Sequence, residues 1–176
     1  VHFLNNIFKF LLIGGRTHRQ VLLRFGLPAI PAAFGGSYLL ITLSDWNRSL
    51  DFSLLSLDFS LEPVKGIIGL LMVFFSFFEL VPSWSDFTIK KKRLWIGGLI
   101  SGFFGGLSGH QGAMRSAFLI NAGLRKESFI ATGIAISLIV DIVRMTIYSS
   151  KYFSSGVMEN LTLLITAILS AFTGAV

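Results

Sequence analysis

The sequence predicts an all-α, polytopic transmembrane helix bundle, and three observations lead there. First, the chain of 176 residues is 53% hydrophobic and only 14% charged, with mean hydropathy +0.73; a soluble domain carries nearer a quarter charged residues. Second, the apolar residues come in blocks: Phe25–Ser44, Val64–Pro82, Leu94–Gly109, Ala117–Leu124, Phe129–Tyr148 and Leu161–Val176. A hydrocarbon core of about 30 Å needs ~20 apolar residues per helix. Three blocks meet that length, and the two short adjacent ones form one interrupted span. Third, basic and acidic residues separate between the connecting loops.

Taken in order, residues 1–13 form the end of a helix, and residues 14–24 a basic loop carrying Arg16, Arg19 and Arg24. In the span Phe25–Ser44, Pro28 and Pro31 fall in the first turns, where proline is tolerated. Loop 45–63 is acidic, with Asp45, Asp51, Asp58 and Glu62 against Arg48 alone. It holds the repeat SLDFSL at 49–54 and 56–61. The offset keeps Leu50 and Leu57 on one helical face, so a surface amphipathic segment competes with a plain loop. Val64–Pro82 is the next span, and loop 83–93 ends in Lys90, Lys91, Lys92 and Arg93. The positive-inside rule places loops 14–24 and 83–93 in the cytoplasm and loop 45–63 outside. A spanning Leu94–Leu124 then puts Arg125 and Lys126 outside; a re-entrant hairpin there is the competing topology and inverts everything after it. Phe129–Tyr148 spans, and the last segment spans again. Similar tetrads at Ala33–Gly36 and Ala171–Gly174 hint at two similar halves, as in many transporters. The chain reads as one transmembrane domain over 1–176, with first-half helices in 1–82 and second-half helices in 94–176. Both ends open within apolar helical patterns, as a fragment of a longer chain would.

The absence of cysteine excludes thiolate catalysis and Cys-ligated metals. Three histidines without metal-ligand spacing give no metal site. No cofactor is implied, and no catalytic residue is assigned. The net charge of +6 reflects short basic loops, not a nucleic-acid surface.

The chemistry is expected in Gly97–Thr132. Glycines at 97, 98, 102, 105, 106, 109 and 112 allow close helix approach, and Gly109-His110-Gln111-Gly112 breaks the helix near mid-span. A break at membrane depth is tolerated only where it is buried in protein or lines a wet cavity. The second half-helix, starting near Ala113, then offers free N–H groups and a positive dipole end to an anion. Arg115 adds a charge and bidentate donors. An intramembrane arginine costs roughly 2.5–3.5 kcal/mol on insertion scales, so function is its default reading; pairing with a buried carboxylate is the plainer one. Gly109, His110, Gln111, Gly112, Arg115 and Ser116 form the expected substrate site, with Asn121 and Thr132 beside it. Asp141 and Arg144, at i,i+3, are expected to form a buried charge pair. Asn5 and Lys9 are pseudo-repeat counterparts.

These residues carry a resemblance. The Gly-rich helix 97–112, the apolar run after it, the turn Ala122–Leu124 and the pair Ala131-Thr132 resemble the sulfite exporter TauE/SafE family, as does the stretch from His2 through Pro28 to Ile30. His110-Gln111 stands where that family has glycine, Arg115 or Ser116 where it has proline, and Gly133 where it has serine. The resemblance implies a secondary transporter exporting sulfite or small organosulfonate anions across the cytoplasmic membrane. It makes the chain an integral protein of the bacterial inner membrane, whose partners are the organosulfur or inorganic anion, a coupling proton or ion, and membrane lipid. An intramembrane hydrolase using Ser108 or Ser116 with His110, and a non-transporting packing subunit, are the rival readings.

Overall fold

The computed structural model describes residues 1–45, 50–54, 57–61, 63–80, 93–109, 111–152 and 161–174. In chain order these form α1 (His2–Ile13), a 3₁₀ turn (Gly14–Arg16), α2 (Arg19–Asp45), strands β1 (Leu50–Leu54) and β2 (Leu57–Leu61), α3 (Pro63–Leu80), α4 (Leu94–Ser108), α5 (Gly112–Ile120), α6 (Lys126–Tyr152) and α7 (Leu161–Thr173).

Two corrections concern the first half. The repeated acidic segment is not a helix: β1 and β2 pair antiparallel, with Leu50 opposite Leu61 and Phe52 opposite Phe59. The unit Leu-Asp-Phe-Ser-Leu alternates apolar and polar residues, which is the period of a strand. The fold is therefore helical apart from one hairpin. Basic loop 14–24 is also shorter than expected. Helix α2 begins at Arg19 and runs 27 residues, placing Pro28 and Pro31 in its interior. The ring of Pro28 lies against Gly98 of α4, and lacking an N–H it leaves the Arg24 carbonyl without its intrahelical donor.

The core is a parallel trio, α2, α4 and α6. Between α2 and α4 the helices meet backbone to backbone. A Cβ on Gly98, Gly102 or Gly106 would collide with the carbonyl of Phe25, Ala29 or Ala33 respectively, and one on Gly36 with that of Phe103. The four-residue steps on both helices keep these contacts on one stripe, the close approach that small residues permit. Ser37 reinforces the seam, donating from Oγ to the Gly106 carbonyl at 3.1 Å. Between α2 and α6 the contacts are side chains: Ala29, Ala33 and Val140 form one cluster, and Gly26 faces the Ile139 side chain.

Helix α5 runs back along α4. Gly97 faces Phe118 near one end of the pair and Gly105 faces Gln111 near the other. Leu94–Leu124 is thus a hairpin whose two ends meet, packed with Val21, Phe25 and Ile136 in one buried apolar cluster. That is the geometry a re-entrant hairpin requires. Arg16 and Glu127 confirm the level of the ends: their side chains pair at 2.7 Å, so the loop before α2 and the start of α6 share one end of the bundle. Helix α1 runs antiparallel to α6, from His2 beside Asp141 to Arg16 beside Glu127. Phe8 of α1 stacks on Phe172 of α7, with ring centroids 4.8 Å apart.

Candidate functional site

The tip of the α4–α5 hairpin meets the middle of α6, and Asn6, Gln111, Ser137 and Asp141, all buried, lie around it. Gly109 ends α4 in the left-handed conformation, φ 79°, which glycine adopts without the Cβ penalty. Its N–H closes on the Gly105 carbonyl at 2.9 Å. Close by, the Gly106 carbonyl accepts both from Ser37 Oγ and from the Tyr148 hydroxyl at 3.0 Å. The Arg144 guanidinium lies directly over Gly109, a cation at the negative end of a helix.

Asp141 is 1% exposed and its carboxylate is surrounded by donors. Arg144 donates from Nη2 to Oδ1 at 3.3 Å, the i,i+3 geometry. Asn6 donates from Nδ2 to Oδ2 at 3.1 Å. The His2 ring lies 3.0 Å from the same oxygen and 3.1 Å from Asn6 Nδ2. A buried carboxylate persists only with such partners.

Arg115 lies one turn into α5. It donates from Nη1 to Ser137 Oγ, one turn before Asp141 on α6, and its Nε faces Gly133. Ser137 is itself buried. Two guanidinium groups therefore converge on a region holding one carboxylate, and the local balance is positive.

Gln111 occupies the N-cap of α5 without capping it. It is 2% exposed, yet neither its amide nitrogen nor its amide oxygen has a hydrogen-bond partner. Leaving such a group unsatisfied costs about 1–3 kcal/mol. Gln111 thus precedes an uncapped first turn of α5 and packs against Gly105 of α4, while Arg115, one turn further along α5, reaches Ser137 of α6.

The other expected residues are placed differently. Gly112 and Ser116 are exposed. Asn121 donates from Nδ2 to the Ala117 carbonyl of its own helix at 3.2 Å. Thr132 is buried, but its Oγ1 accepts the His18 backbone N–H at 2.9 Å; it anchors the start of α2, at a distance from Asp141 of two and a half turns of α6. His110 lies outside the described residues. Sequence reasoning missed His2, Asn6 and Ser137. Only the i,i+4 spacing of His2 and Asn6 on an otherwise apolar helix could have flagged the first two. The neighbouring Asn5, named only as a pseudo-repeat counterpart, lies on a different face of α1, and it is Asn6 that reaches Asp141.

A family model described as sulfite exporter TauE/SafE matches residues 4–176. No curated protein and no solved structure matches the chain.

Proposed function

Since the chain belongs to the sulfite exporter TauE/SafE family, an integral-membrane family of sulfite-exporter type, we propose that it is a secondary transporter of small oxyanions such as sulfite or organosulfonates. It acts as one transmembrane unit in a cytoplasmic membrane. Helices α2 and α6 are long and apolar enough to cross a bilayer, and the α4–α5 hairpin enters from the basic end and returns to it. The substrate binds at the hairpin tip, between the Gln111 amide, the first turn of α5 and Arg115. Asp141 and Arg144 form the buried wall behind it.

The observation that carries this reading is Gln111. A buried amide with no partner, at an uncapped helix N-terminus and beside an excess of positive charge, is the donor set an oxyanion completes. Arg115 held by Ser137 rather than by a carboxylate keeps part of its guanidinium fork for that anion. Asp141 is a poor member of a hydrolytic triad, because His2, Asn6 and Arg144 already occupy its oxygens.

The test is sulfite binding per folded molecule and sulfite flux in liposomes. Arg115→Lys keeps the charge and loses the planar fork, so it weakens binding about tenfold while retaining some flux. Arg115→Gln loses both. Wild-type affinity in folded Arg115→Gln protein would refute the site.

A further inference from the structure

A second polar feature lies at the opposite end of the hairpin and plays no part in the proposed transport site. Between the starts of α2, α4 and α6 there is a cavity of about 280 Å³. Arg24 and Arg125, both exposed, line it together with Ser128. Val21, Leu94 and Ala122 line its inner wall, and all three are buried.

The charge is one-sided. No carboxylate lines the cavity, and the adjacent Glu127 is engaged by Arg16 at 2.7 Å. Among the described residues neither Arg24 nor Arg125 forms an ion pair. Behind its inner wall the same buried apolar cluster continues through Phe25, Leu119 and Ile136 toward the hairpin tip. From Ser128 to Ser137 the rise along α6 is about 14 Å. It is therefore a separate chamber, not the inner end of the substrate site.

Its shape and lining select a ligand class. The volume approaches the roughly 300 Å³ at the lower end of organic-ligand pockets, more than a bare oxyanion fills. A cationic rim over an apolar wall suits a molecule with an anionic group joined to apolar chains. The cavity lies at the bundle end rich in basic residues, where a cytoplasmic leaflet presents anionic phosphodiesters. Basic pockets between membrane helices on that side are suited to such head groups.

We propose that this cavity binds a phosphate group, carried by an anionic phospholipid of the inner leaflet, with Arg24 and Arg125 as its two cationic contacts. The proposal rests on the membrane placement of the chain but not on anion transport. Purified full-length chain in neutral detergent is melted with added phosphatidylglycerol, phosphatidylcholine or inorganic phosphate. Phosphatidylglycerol is expected to raise the melting temperature by a few degrees and phosphatidylcholine to leave it unchanged. Arg24→Gln with Arg125→Gln should abolish the shift, whereas Arg19→Gln, which lies outside the cavity, should keep it. Should that double variant fail to fold, Gln20→Glu places a carboxylate at an exposed position of the same lining and should abolish the shift too. An equal shift with inorganic phosphate would reassign the site to the free ion and overturn the lipid. Equal shifts with both lipids, or an undiminished shift in the variants, would overturn the site itself. Arg115→Gln should leave the phosphatidylglycerol shift intact, so this proposal and the transport reading fail separately.

Discussion

Gln111, Asp141 and Arg115 show how much a single side chain can decide inside an apolar bundle. An unpartnered buried amide costs stability, so Gln111→Leu should not destabilise the protein and should raise its stability by up to about 2 kcal/mol. Sulfite affinity should fall at the same time. A melting curve and a binding isotherm on one preparation check both, and a variant that loses stability with unchanged affinity would make Gln111 a packing residue. Asp141 behaves oppositely. Removing its charge leaves Arg144 unpaired in the interior, so Asp141→Asn should cost roughly 3–5 kcal/mol. Asp141→Asn combined with Arg144→Gln should cost less than the sum of the two. Additive losses in a double-mutant cycle would dismiss the pair. At this scale the sequence was informative about residue type and poor about partners. Arg115, Asp141 and Arg144 announce themselves as charges in apolar blocks. That Asp141 would bond His2 and Asn6, 139 and 135 positions away, has no local signal.

The helices owe their arrangement to backbone contact, and the glycines are not interchangeable. Gly98→Ala, Gly102→Ala and Gly106→Ala each drive a methyl into a carbonyl of α2, and each should destabilise by about 1–3 kcal/mol. Gly35 lies on the same α2 with open space where its Cβ would be, so Gly35→Ala should be neutral or stabilise by up to about 1 kcal/mol. Thermal melting of the four variants separates close approach from glycine content. The glycine spacing was legible because the four-residue step is a sequence pattern. The start of α2 was not. The basic cluster at 16–24 reads as a loop by composition, yet Arg19 and Arg24 lie on a helix, because cations at a membrane-helix end can reach the polar interface. The β-hairpin was missed for a different reason. Its repeat invites a helical reading at a seven-residue offset, while the alternation inside each unit is the stronger, shorter-range signal.

At the level of the whole molecule the undecided element was Leu94–Leu124. Composition cannot tell a span from a hairpin, since both are apolar and interrupted. The fold-back of this segment comes from tertiary contacts: Gly97 against Phe118, and Arg16 with Glu127. The consequence for topology is direct. Cysteines placed at Arg19 and Lys126 should label from the same side of the membrane, and one at Asp45 from the other. An impermeant thiol reagent on oriented vesicles reads this, and opposite sidedness for positions 19 and 126 would overturn the hairpin as a re-entrant element.

The glycine stripe also has a mechanical meaning. Side chains yield by changing rotamer, but a carbonyl pressed against a glycine Cα has no such freedom. The seam between α2 and α4 has little room to slide for that reason. The seam between α2 and α6 is built from Ala, Val and Ile side chains and is the compliant one. Relative motion is therefore expected between α6 and the α2–α4 pair, with Ser137 and Asp141 moving with α6.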